Sequence, residues 1–147
     1  IMDGEGSIYI SKGKPDKTHK NVKIGPRICI TNSYLPMLQA INKKYKLGKI
    51  RFAKQAVRAK VYDIRTSSQS IITSFLKELL PYLIVKRKQA LLMLEFFEKK
   101  TISVSGKGHR GFKELSPSEL TKRENYYLRM KKLNSYDVDF SYLLPKE

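Results

Sequence analysis

Asp3-Gly4-Glu5-Gly6-Ser7-Ile8-Tyr9-Ile10-Ser11-Lys12 sets the frame for the whole chain. Two acids and two glycines crowd its front. Ile8 and Ile10 then alternate with Ser7, Tyr9 and Ser11, the period-two pattern of a half-buried strand. A tight acidic turn therefore feeds a strand with one apolar and one polar face. Gly13-Lys14-Pro15-Asp16-Lys17 breaks the pattern, after which Val22, Ile24, Ile28 and Ile30 alternate with Lys23, Gly25, Arg27 and Cys29. The two runs predict a hairpin. Pro26 falls on the apolar phase and marks an edge position or a bulge, because proline donates no ladder hydrogen bond.

Beyond the hairpin the period changes. Thr31-Asn32-Ser33 offers N-cap chemistry, and Leu35, Leu38, Ile41 and Tyr45 recur at helical spacing until Gly48, where the helix is expected to stop. Two further strands are predicted. Lys49-Ile50-Arg51-Phe52-Ala53 should hide Ile50 and Phe52, and Val61-Tyr62-Asp63-Ile64-Arg65 should hide Tyr62 and Ile64 while turning Asp63 and Arg65 outward. An amphipathic helix over 68–80 is interrupted at Pro81 and resumes over 85–100 with Leu91, Leu92, Leu94, Phe96 and Phe97. The order strand, strand, helix, strand, strand, helix implies an α+β fold: a four-stranded antiparallel sheet with helices on one face and the other face open.

Residues 1–100 form the expected core, and residues 101–147 are expected to pack on the same domain. The latter hold a basic loop, Gly106-Lys107-Gly108-His109-Arg110-Gly111, then a capping box, Ser116-Pro117-Ser118-Glu119, launching a helix to about Lys132. Phe140, Tyr142 and Leu143 are apolar anchors in the tail.

Among 147 residues, 30 Lys and Arg face 13 Asp and Glu, a net charge of +17 spread along the chain. A field of that sign attracts polyanions: nucleic acid first, with acidic membrane surfaces and ribosomal RNA as competitors. No apolar run approaches the roughly 20 residues that span a bilayer, and the start lacks a secretory layout. The chain reads as soluble and intracellular. Cys29 is the one cysteine, which rules out an intrachain disulfide or a thiolate zinc cluster.

On the open phase of the four strands lie Ser7, Tyr9, Ser11, Lys23, Arg27, Lys49, Arg51, Asp63 and Arg65. Arg and Lys pair with guanine, hydroxyls adapt, Asp accepts from cytosine, and strands can lie in the major groove. A wet sheet face carries polar residues in any protein, so the net charge is what tilts this face toward DNA.

Asp3-Gly4-Glu5-Gly6-Ser7 running straight into a strand resembles the second half of the motif of LAGLIDADG homing endonucleases. Leu79-Leu80-Pro81-Tyr82-Leu83-Ile84-Val85-Lys86-Arg87-Lys88-Gln89-Ala90 resembles the same family's helix break and Lys-x-Lys-Gln-Ala segment. An acidic glycine turn alone also suits a solvated loop or a calcium ligand; two matches in the right order say more. The resemblance covers about two thirds of the chain and implies a metal-dependent, site-specific double-strand DNA endonuclease. It makes Glu5 the metal-binding acid with the Gly4 carbonyl beside it, and Asp3 and Gly6 structural parts of the motif. It sets Lys86 near the attacking water, and Asn32, otherwise an N-cap, where a polar residue positions solvent. Mg2+ suits such a site, since it prefers oxygen ligands and keeps several waters.

One motif per chain resembles the homodimeric members, which cut a long pseudo-palindrome of double-stranded DNA. The sequence begins inside the motif, so the expectation is a truncated chain with weakened dimerisation. It would act where its DNA is, in an organelle or a prokaryotic cytoplasm. The alternative in another class is a non-cleaving binder of the same fold, such as a maturase that binds intron RNA.

Overall fold

The computed structural model describes residues 2–14, 22–100 and 116–135. The chain runs α1 (Met2–Glu5), β1 (Gly6–Lys12), β2 (Ile24–Asn32), α2 (Leu35–Tyr45), β3 (Ile50–Gln55), β4 (Lys60–Thr66), α3 (Gln69–Leu79), a 3-10 turn (Leu80–Tyr82), α4 (Arg87–Lys99) and α5 (Pro117–Leu133). The strands make one antiparallel sheet in the order β1-β2-β4-β3. The expected basic loop and the tail anchors lie outside the described residues.

Alternation decides which face is buried. Ile8 and Ile10 of β1, Ile28 and Ile30 of β2 and Ile64 of β4 all point to one side and are almost wholly buried. Against them pack Leu38 of α2, Ile72, Phe75 and Leu76 of α3, and Ala90, Met93 and Phe96 of α4. Each such side chain contributes about 1.5–3 kcal/mol when taken from water. The opposite face carries no helix among the described residues.

α5 closes the layer beside β1. Asn134 donates to the Ile8 carbonyl at 2.9 Å, Gln89 of α4 donates to the Leu133 carbonyl at 3.1 Å, and the Tyr126 hydroxyl donates to Glu95 at 2.8 Å. Ser116 is its N-cap, accepting from the Glu119 amide at 3.2 Å, with Pro117 at the first helical position. The buried Glu119 carboxylate runs along the helix to Arg123 at 2.8 Å and Lys122 at 3.1 Å.

Four local expectations change. Helix α2 ends before Gly48: Lys46 takes the left-handed cap (φ 52°), buried Leu47 follows, and Gly48 sits at φ 152°. The N-cap of α2 is Tyr34 rather than any of Thr31-Asn32-Ser33, because β2 extends through Asn32 and Pro36 pre-sets the first turn. Phe52 is 58% exposed; β3 is an edge strand, and the ring meets Tyr62 only edge-on, centroids 6.2 Å apart. Helix α4 begins at Arg87, two residues later than its periodicity suggests, for a reason that lies in α1.

Pro26 sits on β2, an inner strand, yet in an edge-like stretch: it pairs with Ile10 of β1, while β4 reaches β2 only from Ile28 onward. One side of Pro26 therefore has no ladder to break.

Gly48 carries a prediction. A Cβ there would lie 2.8 Å from the Arg65 backbone carbonyl, and Asn42 clasps the Gly48 peptide on both sides, at 2.8 and 3.1 Å. Gly48→Ala should cost about 2 kcal/mol, the scale of a strained backbone position. A urea midpoint equal to that of the parent would show that the turn relaxes instead.

Candidate active site and nucleic-acid interface

The first structured turn of the chain is tied to the helix break 81 residues later. The Asp3 carboxylate accepts from the Ile84 amide at 2.8 Å through one oxygen and from the Lys86 amide at 2.9 Å through the other. The Lys86 ammonium returns the contact, donating to the Asp3 carbonyl. Asp3 thus ties down the segment that precedes α4, satisfying the amides of Ile84 and of Lys86, the N-cap residue of that helix. Burial works against the charge on Asp3. The amides of Ile84, Lys86 and Val85, together with the Lys86 charge, outweigh it and hold the carboxyl below its ordinary 3.8. Burial also pushes the Lys86 ammonium below its ordinary 10.5, with Asp3 opposing.

Glu5 is different in kind. It is exposed at the end of α1 and makes no hydrogen bond or ion pair with any described residue. Gly4 is exposed too, and a Cβ on it would meet nothing within 4 Å. Gly6 is where backbones crowd: a Cβ there would fall 2.1 Å from the Met2 sulfur and 2.9 Å from the Met2 carbonyl.

Among the described residues no three His, Cys, Asp or Glu side chains converge on a metal position. The donors at the end of α1 are one free carboxylate, Glu5, and the Gly4 carbonyl, at a helix end whose carbonyls lack intrahelical partners. An open, all-oxygen set of this kind fits Mg2+, which is held by one or two carboxylates and takes its other ligands from phosphate and water. Asn32 stands elsewhere in kind: its Oδ1 accepts from the Tyr34 amide at 2.6 Å, supporting the turn into α2.

On the open face Ser7, Tyr9 and Ser11 oppose Cys29, Arg27 and Gly25. Ser7 is exposed and Tyr9 half-buried, while the Ser11 hydroxyl turns back to the Gly25 carbonyl at 3.2 Å. Arg27, Arg51 and Arg65 are exposed. Lys23 and Lys49 are exposed as well, but stand just ahead of β2 and β3 rather than on them. Asp63 departs from expectation. It lies on the open phase between Thr31 and Arg51, yet it is 2% exposed, because Arg65 folds over it with Nε at 3.0 Å and Nη2 at 2.6 Å from Oδ2.

A family model of LAGLIDADG endonucleases matches residues 1–90. The chain belongs to the LAGLIDADG endonuclease family. No curated protein matches it. Among solved structures, the homing endonuclease I-CvuI, in complex with a DNA target in the presence of 2 mM Mg, superposes with a TM-score of 0.70 at 18% identity, covering 94% of this chain and 80% of that one. The archaeal intron-encoded homing endonuclease I-Vdi141I, complexed with DNA, gives 0.67 at 19% identity over 97% and 87%. I-GzeII, a LAGLIDADG homing endonuclease in complex with its DNA target, gives 0.62 at 16% identity over 99% of this chain but 48% of its own.

Within this LAGLIDADG fold, three features escape a residue-by-residue reading. The Asp3 clasp is made to backbone amides, which carry no side-chain signature. Lys54 joins the open face because a bulge at Ala53 shifts the register between Phe52 and Lys54, reversing the phase that simple alternation assigns. Thr31 and Cys29 also stand on that face, 3.6 Å apart through Oγ1 and Sγ. Their phase was readable, though β-branched and thiol side chains do not advertise a polar surface.

Proposed function

We propose that this chain is a site-specific DNA endonuclease that acts as a homodimer and hydrolyses both strands of a long pseudo-palindromic target with a divalent metal, Mg2+ foremost. The observation that carries the reading is the clasp between Asp3 and Lys86. It holds a lysine with a depressed pKa against the backbone of the same short helix that ends in the free carboxylate of Glu5.

Phosphodiester hydrolysis needs an activated water and relief of the negative charge that gathers on phosphorus. Glu5 and the Gly4 carbonyl would hold a divalent ion, which would supply both. Lys86, anchored at the Asp3 carbonyl, orients water and offsets charge on the phosphate. Asn32 lies at the exit of β2, and with its Oδ1 engaged by the Tyr34 amide it is a weaker candidate for positioning solvent. The exposed arginines of β2, β3 and β4 face the duplex, with their charges taking phosphates and base edges. Open space around Gly4 suits the close approach of a second copy's helix, which would bring a second Glu5 to the other strand.

The test is incubation of the purified protein with a randomised duplex library, with Mg2+ and with chelator, followed by sequencing of the ends. The expected product is a staggered double-strand break at one symmetric sequence, formed only with metal. Sequence-selective binding without cleavage under any divalent metal would replace this reading with that of a non-cleaving binder.

A further inference from the structure

At the middle of the open face sits a carboxylate that the proposed chemistry does not use. Asp63 is on β4, flanked in register by Thr31 of β2 and Arg51 of β3. One of its oxygens, Oδ2, receives both Nε and Nη2 of Arg65, at 3.0 and 2.6 Å; the other, Oδ1, is buried with no hydrogen-bond partner among the described residues. The Arg65 side chain is 52% exposed, whereas that of Asp63 is 3% exposed.

This is a poor arrangement for stability. A buried carboxylate loses its hydration, a half-exposed guanidinium returns little, and a buried oxygen left unpaired adds a further cost. Nor can Asp63 read a base itself, since Arg65 covers it. What the pair does achieve is to fix the guanidinium. An arginine normally gives up much rotamer entropy on ordering. Here the ordering is done in advance, with the Nε side spent on Asp63, while Nη1 and the outer hydrogen of Nη2 are not used by that contact.

That free edge matches the O6 and N7 acceptors of guanine in the major groove. We infer that Arg65 reads a guanine in each half-site and that Asp63 is its positioning residue, holding the guanidinium upright on the open face. The inference rests on the proposed action on duplex DNA and adds to it one base, one reader and one support.

The experiment selects binders from a random duplex library in chelator, so that nothing is cut, using the full chain and its Arg65→Ala, Arg65→Lys and Asp63→Asn variants. The parent should enrich guanine at one position per half-site. Arg65→Ala and Arg65→Lys should each reduce that preference about tenfold, within the range of one bidentate pair, and leave other positions alone. Asp63→Asn should weaken the same position while overall affinity for random duplex stays level or rises, because a negative charge has been removed from the face. Combined with Arg65→Ala, Asp63→Asn should add nothing.

Unchanged preference in Arg65→Ala would overturn the inference, and loss in Arg65→Ala with full retention in Arg65→Lys would overturn the guanidinium fork that Asp63 is inferred to position. Asp63→Asn matching the parent would remove the positioning role. A cytosine preference lost in Asp63→Asn but kept in Arg65→Ala would make Asp63 the reader instead. If Asp63→Asn does not fold, the two Arg65 variants decide alone. A parent that enriches no sequence would sink the DNA reading and this inference with it, whereas enrichment indifferent to Arg65 would sink this inference only.

Discussion

Glu5→Gln is expected to reduce cleavage at least about 1000-fold, roughly 4 kcal/mol of transition-state stabilisation, while binding of the uncut duplex in chelator is unchanged or tighter. Gln keeps the length of the side chain and one oxygen but loses the charge that holds a divalent ion. Because Glu5 is exposed and makes no hydrogen bond or ion pair with other described residues, the substitution should leave the melting curve within about 0.5 kcal/mol of the parent, as surface changes do. The variant thus separates chemistry from folding. Cleavage within tenfold of the parent, at matched binding and Mg2+, would mean that Glu5 is no metal ligand. Loss of binding along with cleavage would place it in DNA contact instead.

Glu5 was nominated by the resemblance of its motif, whereas the strands and helices were legible for a physical reason. Periodicity reports the average environment of a side chain. It placed Ile8, Ile10, Ile28, Ile30 and Ile64 on the buried face, and the sheet is built on them. A helix after Ser116-Pro117 was equally readable, since a cap and a fixed φ act within a few residues. Contacts across long separations leave no such trace. Asp3 and Lys86 lie 83 positions apart, and their bond runs through a backbone amide that any residue would carry.

The strand phases fail for a related reason. Alternation assumes a regular ladder with both neighbours in place, so it buried Phe52, which lies on an edge strand, and exposed Asp63, which an arginine two residues along covers. It also missed Lys54, because a single extra residue in β3 reverses every side chain beyond it. Asn32, read as a cap or a solvent-positioning group, is a strand-end residue whose side-chain oxygen accepts from the Tyr34 amide. The identities of the open-face residues were thus mostly visible in advance; which of them are committed to one another was not.

The clasp itself yields the other large effect. Asp3→Ala is expected to cost about 3 kcal/mol of stability. It removes two hydrogen bonds to an ionised acceptor, each worth roughly 1.5–3 kcal/mol, and the total is discounted because the Ile84 side of the contact is exposed. Acid supplies a second signature. The carboxyl of Asp3 titrates below its ordinary 3.8, so its contribution is complete above about pH 5 and disappears as pH falls through the lower folded value. The stability gap between parent and variant, read from urea melts, should therefore be constant from neutral pH down to about pH 5 and close on further acidification. A gap that persists at the lowest pH would trace the loss to packing rather than to the charged clasp. Activity should respond as well. With the Asp3 carboxylate gone, the Ile84 and Lys86 amides lose their hold on α1 and only the Lys86 ammonium bond to the residue-3 carbonyl is left, and a displacement of about 1 Å in such a group commonly costs on the order of 100-fold in rate. Measured below the melting range, where the variant is folded, Asp3→Ala should cut about 100-fold more slowly yet still require metal. An Asp3→Ala protein that is less stable but cuts at the parent rate would reduce the carboxylate to a structural staple and leave the placement of Lys86 to α4 and the residue-3 carbonyl.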